Sequence, residues 1–156
     1  MPILATLREF LDRKQVAYEV ASHRQAFTAQ EVAQAQHTPG RELAKVVMLR
    51  SGKDFMMAVL PAPYRVDLNL AKTALGKPDL QLASEQEFAG LFPKCEAGAM
   101  PPFGNLYNLA VYVDRSLTRD EEIVFNAGTH TQTVKMKYAD FERLVQPAIV
   151  SVAVQG

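Results

Sequence analysis

Apolar residues recur at Ile3, Leu4, Leu7, Phe10 and Leu11, a spacing that predicts an amphipathic helix running to about Gln15. The period then shortens, and VAYEV, residues 16–20, alternates as a strand does. Thr28 followed three residues later by Glu31 is a capping box; it opens a helix that His37-Thr38-Pro39-Gly40 must end. Past Glu42, two β-rich runs at about 44–50 and 54–60 flank Ser51-Gly52-Lys53 and predict a hairpin. Pro61 and Pro63 close its second strand, and Leu68 to Leu75 reads as a short helix stopped by Gly76-Lys77-Pro78.

Ser84 with Glu87 three residues later is a second capping box, placed before a short helix within residues 84–92. The next ten-residue stretch, CEAGAMPPFG from Cys95 to Gly104, fits neither period. Strands follow at 108–114 and about 121–126, and Gly128 between Asn126 and Thr129 marks a turn into another. That next run sets Thr131, Thr133, Lys135 and Lys137 against Gln132, Val134, Met136 and Tyr138, one polar face and one apolar. Asp140 is a cap candidate for a final helix, and IVSVAVQG reads as one last strand. Helices and strands mix without regular βαβ alternation, and short connections favour antiparallel neighbours. The expected class is α+β: a curved, mixed, mostly antiparallel central sheet with flanking helices. No linker divides the chain, so residues 1–156 are expected to form a single domain.

Composition narrows the function more than the fold. A 48% hydrophobic content supports a real core without help from metals or disulfides. The formal net charge of zero gives little support to a protein that holds long nucleic acid by its overall field, and DNA is not expected as a partner. The single cysteine excludes an internal disulfide framework and fits a reducing, cytoplasmic setting. The N-terminus reads as an amphipathic helix rather than a secretory signal, and no apolar run approaches the roughly 18 residues needed to span a membrane.

Three features carry candidate chemistry. Lys45 interrupts the apolar run ELAKVVML: it either points to solvent from one strand face or lines a pocket opening off the sheet. In a pocket its ammonium would meet a carbonyl, carboxylate or phosphate, or stabilise developing negative charge. The Cys95–Gly104 loop is either a plain connection or a ligand-facing wall. Gly98 bares the backbone there, Pro101 and Pro102 stiffen it, and the N–H groups of Gly98, Ala99 and Met100 are candidates to face a ligand oxygen. His130 is either a general acid or base or a polar residue at a strand start. Further positive charge lies at Arg50, Lys53, Arg65 and Lys72, enough for one phosphate-bearing end of a larger ligand. His23, His37 and His130 show no metal-ligand spacing, so no metal is expected. No nucleophile elbow, P-loop or dinucleotide fingerprint occurs, and no cofactor is implied. Cys95 has no histidine tied to it in the sequence.

In order and spacing, these features resemble the YbaK/EbsC family. That domain is also the insertion of bacterial prolyl-tRNA synthetase, and its members deacylate mischarged tRNA in trans. The likeness runs through the strand leading to His23, TAQEVAQA, ELAKVVML with Lys45, and GAMPP with Gly98 and Pro102 as Gly-x-x-x-Pro. It continues through IVFNAG with Gly128 to the closing YADFERL. The resemblance implies that Lys45 is the key polar side chain of an open pocket, and that the loop positions an aminoacyl carbonyl and the terminal ribose. The reaction would be hydrolysis of the ester joining a small amino acid to the 3′-terminal adenosine of tRNA, assisted by the tRNA's own 2′-hydroxyl and water. The implied partners are the acceptor end of tRNA and an aminoacyl-tRNA synthetase.

On this reading Lys45, Gly98 and His130 are the catalytic candidates. The substrate-binding candidates are His23, Phe27, Met48, Ala99, Met100, Pro101, Pro102, Gly128 and Thr129, with Phe27, Met48, Met100 and Phe103 as apolar limits on the amino acid. The chain departs from the family where many members carry Gly-Gly and then a Ser or Thr before the proline: here stand Gly98-Ala99 and Pro101. That missing hydroxyl motivates the alternative of a non-catalytic ligand- or protein-binding module of the same fold.

Overall fold

The predicted hairpin is the centre of the computed structural model, which describes residues 4–22, 43–92, 94–96 and 98–155. Strands β2 (Ala44–Ser51) and β3 (Asp54–Pro61) pair antiparallel from Ala44↔Pro61 to Ser51↔Asp54. Gly52 makes the tight turn at φ +61°, the left-handed conformation that two-residue hairpin loops require. β2 also pairs antiparallel with the short β5 (Gln81–Leu82). On the other side β3 runs parallel to β6 (Ala110–Asp114), which is parallel to β9 (Ala148–Val150). The order is β5-β2-β3-β6-β9.

A second, antiparallel sheet has the order β1 (Tyr18–Ser22), β8 (Gln132–Lys137), β7 (Glu122–Asn126). A parallel bridge between Leu43 and Val124 joins it to the start of β2. A third pairing sets β10 (Ala153–Gln155) against β4 (Tyr64–Val66). The expected α+β class with a mixed sheet is what the chain adopts, but the five-stranded sheet is evenly divided, with two antiparallel and two parallel pairings, and the other two sheets are wholly antiparallel.

The hairpin is apolar on both faces because each is covered. Met57 and Val59 of β3 face the main core, while Met56 and Ala58 face a second cluster with Leu49, Ala71, Leu80 and Val152. In the main core, helix α1 (Ala5–Arg13) buries Leu7, Phe10 and Leu11. Phe103 stands among Phe10, Phe125 and Phe141 at ring-centroid distances of 6.0, 5.5 and 5.4 Å. Each such side chain contributes about 1.5–3 kcal/mol when fully buried.

Local signals set the helix ends. Helix α2 (Leu68–Leu75) starts where Asp67 Oδ1 accepts the N–H groups of Asn69 and Leu70, and ends at Gly76 in the left-handed conformation. Helix α3 (Glu85–Phe88) carries the predicted Ser84–Glu87 capping box, with both bonds made. Helix α4 (Tyr138–Val145) corrects one expectation. It begins at Tyr138, so Asp140 sits in its first turn and pairs with Arg143 at 3.1 Å instead of capping.

Other differences have nonlocal causes. β1 starts two residues later than its alternation suggests, because the chain first turns through Gln15 at φ +58°. Thr133, assigned to a polar face, is buried between β1 and β7. The expected last strand is split in two. Asp114 Oδ1 accepts the N–H groups of Val152 and Ala153 at 2.8 and 2.9 Å, which takes the chain off the edge of β6 and hands it to β4. The helix expected after Thr28 lies outside the described residues.

Candidate active site

Lys45 is the second residue of β2, on the face it shares with Val47 and Leu49, while Ala44, Val46 and Met48 pack on the main core. It is half-buried, and the loss of hydration lowers its ammonium pKa below that of an ordinary lysine. It pairs with no carboxylate among the described residues. The side chain opens on a cleft of about 150 Å³ whose far side is Gly98, Met100 and Asn126, with residues 43–46 forming the near wall.

The Cys95–Gly104 loop divides into two parts with different jobs. Its second half is core: Pro101, Pro102, Phe103 and Gly104 are all buried, and a Cβ on Gly104 would lie 2.7 Å from Val111 Cγ2. Its first half is the exposed wall, with Gly98 at φ +80°. This half is clipped to the β7–β8 turn. Glu96 N–H donates to the Gly128 carbonyl at 2.8 Å, and Gly128 N–H donates to the Ala99 carbonyl at 2.9 Å. Ala99 N–H is used inside the loop, on the Glu96 carbonyl, and so is not among the donors offered to a ligand.

Gly128, at φ +98°, is a packing residue: a Cβ there would stand 3.0 Å from Leu4 Cβ. Thr129 is buried and its Oγ1 accepts the Thr131 N–H at 3.4 Å, a bond within the turn. His130 is buried too. Its N–H donates to Glu96 Oε1 at 3.3 Å, and its Cε1 would lie 3.7 Å from a Cβ on Gly98. The ring therefore backs the bare side of Gly98.

Of the sequence candidates, Lys45, Gly98 and Met100 meet in the cleft, with His130 behind Gly98. Met48 is in the core, and Ala99, Pro101, Pro102, Gly128 and Thr129 support the loop and turn from below. His23 and Phe27 lie outside the described residues. Arg50, counted among the phosphate-binding charges, has its Nε 2.7 Å from Glu87 Oε2. Cys95 Sγ lies 3.7 Å from the Tyr107 hydroxyl, and burial pushes its thiol pKa up, away from the thiolate a nucleophile needs. No group of three or more potential metal ligands forms among the described residues.

One cleft residue was read from sequence only as a turn former. Asn126, the last residue of β7, lines the cleft, and its Oδ1 is buried with no hydrogen-bond partner among the described residues. An amide oxygen left this way costs about 1–3 kcal/mol unless something supplies a donor. Its signal was an amide ending an apolar strand, visible only once Lys45 lies opposite. Together the cleft offers a partly desolvated cation, a bare backbone wall and an acceptor unmatched among the described residues, a set suited to a substrate with a polarised carbonyl and neighbouring hydroxyls.

One family model matches most of the chain. The model of the aminoacyl-tRNA editing domain matches residues 23–144. The multifunctional Ser/Thr-tRNA deacylase ProXp-y of Escherichia coli K12 is 29% identical over 146 residues, covering 90% of this chain and 87% of that protein. Among solved structures, the hypothetical protein APE2540 superposes with a TM-score of 0.86 at 18% identity, covering 96% of this chain and 99% of that one. A proposed trans-editing enzyme for prolyl-tRNA synthetase superposes at 0.82 and 22% identity, covering 96% and 95%. These two likenesses establish the shared fold.

Proposed function

The chain belongs to the aminoacyl-tRNA editing domain family, and from that premise we propose that it is a trans-acting deacylase removing a small, wrongly attached amino acid from tRNA. The observation that carries this reading is Lys45, partly stripped of hydration and paired with no carboxylate among the described residues, facing Gly98 and Asn126 across one cleft. The ester carbonyl would sit between the Lys45 ammonium and the Gly98 backbone. Water attacks its carbon, the oxyanion that develops is met by the ammonium, and the acyl–oxygen bond breaks with the proton passing to the ribose oxygen. Free amino acid and tRNA result.

A preorganised cation in a poorly hydrated site is worth most at the moment such charge appears. The buried Asn126 Oδ1 would accept from the terminal ribose, holding the 2′-hydroxyl near the reacting carbon. The protein then needs no nucleophile of its own, in keeping with a thiol at Cys95 that burial holds protonated.

Among the described residues no helix is long and apolar enough to cross a membrane, and a cytoplasmic enzyme acting on tRNA in solution is the reading we favour. With a net charge of zero, affinity for the body of tRNA would come from a synthetase that presents the acceptor end.

The test is deacylation of tRNAs charged with alanine, serine, cysteine, threonine and proline by the native protein, Lys45→Ala and Asn126→Ala. We expect one or two small amino acids to be released. The rate should fall about 100- to 1000-fold in Lys45→Ala, the scale of losing an oxyanion donor, and by a smaller factor in Asn126→Ala. Saturable binding with no hydrolysis by the native protein would instead establish a binding module.

A further inference from the structure

The wall at Gly98 and Met100 has a second side. Met100 lines both the Lys45 cleft and a smaller, mostly apolar recess of about 70 Å³ built from Phe88, Ala89, Phe92 and Cys95. That volume has room for a side chain of a few heavy atoms. Two carboxylate residues, Glu85 and Glu96, complete its lining. Glu85 Oε1 comes within 3.9 Å of where a Cβ on Gly98 would stand, so this carboxylate reaches the bare face separating recess from cleft. Glu96 is fixed by the His130 N–H on its Oε1 and by its own N–H on the Gly128 carbonyl.

Neither carboxylate pairs with a cation among the described residues. Glu87, on the same helix as Glu85, is the contrast: the Ser84 N–H and Arg50 already occupy it. An aminoacyl ester presents three things within a few bonds: a carbonyl, a side chain and an α-ammonium. The Lys45 cleft suits the carbonyl and repels the ammonium, which must turn away from it. The acidic recess on the other side of Gly98 supplies what remains.

We propose that this recess takes the amino-acid side chain and that Glu85 and Glu96 hold the α-ammonium. The substrate class is therefore an ester of a small amino acid whose amino group is free. The inference rests on the editing reading of the cleft and adds a specificity that reading lacks. It also gives His130 a role as a positioning residue, holding Glu96 through its backbone while its ring backs Gly98.

The experiment measures binding of 3′-deoxy-3′-(L-alanylamino)adenosine, whose amide linkage resists hydrolysis, and of its N-acetyl derivative. Calorimetric titrations would use the full chain as native protein, Glu85→Gln, Glu96→Gln and the double variant. Glutamine keeps the Oε1 acceptor that His130 uses, and Glu85 pairs with no cation among the described residues. The native protein should prefer the free amine by about tenfold, the scale of two exposed charge contacts. Each single variant should lose part of that preference and the double variant all of it. Equal binding of the two ligands by the native protein, no binding of either, or a preference that survives in the double variant would overturn the proposal. Hydrolysis of aminoacyl-tRNA without amine discrimination would remove this inference and leave the editing reading standing. Amine discrimination without hydrolysis would do the reverse.

Discussion

Two charged side chains leave the same five-stranded sheet and meet opposite fates. Asp114, at the end of β6, is almost fully buried and completely engaged. Its Oδ1 takes the N–H groups of Val152 and Ala153, and its Oδ2 takes the N–H and hydroxyl of Ser116. Lys45, near the start of β2, has lost part of its hydration and gained no partner among the described residues. A charge whose bonds are all made inside the protein is an anchor. A charge left wanting is destabilising where it stands, and is retained where a ligand supplies the missing contact.

The largest expected effect breaks the anchor. In Asp114→Ala three backbone donors lose their acceptor, and we expect a loss of roughly 3–5 kcal/mol, read as a fall in Tm and in the denaturant midpoint. Activity per folded molecule should be kept, since Asp114 does not line the cleft. Lys45→Ala should do the opposite, leaving stability within about 0.5 kcal/mol of the native protein while deacylation collapses. Equal stability losses in the two variants would erase the distinction between anchor and tool.

A pair of glycines sharpens the same contrast on a smaller scale. Gly128 and Gly98 both adopt positive φ, at +98° and +80°, so an alanine at either is strained by about 1 kcal/mol. At Gly128 the new methyl also meets Leu4 Cβ at 3.0 Å in a turn that cannot withdraw, since its N–H and carbonyl clip the 96–99 loop. At Gly98 the nearest atoms are 3.7 and 3.9 Å away, ordinary contact. Gly128→Ala should therefore cost about 2–3 kcal/mol in thermal or chemical denaturation. Gly98→Ala should cost about 1 kcal/mol yet lose more activity, because its methyl enters the boundary between cleft and recess. The reverse ranking in stability would mean that the turn relaxes and the cleft wall does not.

What the sequence made legible follows the range of the interactions involved. The 44–60 hairpin, the Leu68–Leu75 helix with its Gly76 stop and the Ser84–Glu87 box are written in neighbours a few residues apart, and all three form. Lys45 was visible for a local reason too, as a cation in an apolar strand. The buried half of the loop was not. Pro101, Pro102 and Phe103 carry no period, and Phe103 becomes a core residue only because Phe10, Phe125 and Phe141 arrive from three other elements. Asp140 looked like a cap because helix starts are read from residue type, whereas the chain leaves β8 directly into the helix at Tyr138. The split last strand depends on Asp114, thirty-eight residues before Val152. Asn126 gains its meaning from Lys45, which lies on a different strand.

The smallest effect is a pH dependence that the anchor–tool distinction fixes in sign. Burial lowers the pKa of Lys45 from the usual lysine value of 10.5, so the folded state holds this proton less tightly than the unfolded chain does. Below the folded pKa the buried ammonium opposes folding. As pH rises through the folded pKa and on towards 10.5, that opposition is released and stability gains. Activity runs the other way, since the folded protein loses the cation as pH rises through its lowered pKa. After subtraction of spontaneous ester hydrolysis, the deacylation rate should fall on the alkaline side at a lower pH than an ordinary lysine would give. Lys45→Met, without the charge, should be more stable than the native protein at neutral pH by a margin that shrinks as pH rises. A margin that stays constant with pH would show that Lys45 is as well hydrated in the fold as in the unfolded chain, and the cleft would then lack the poorly screened cation on which the editing chemistry depends.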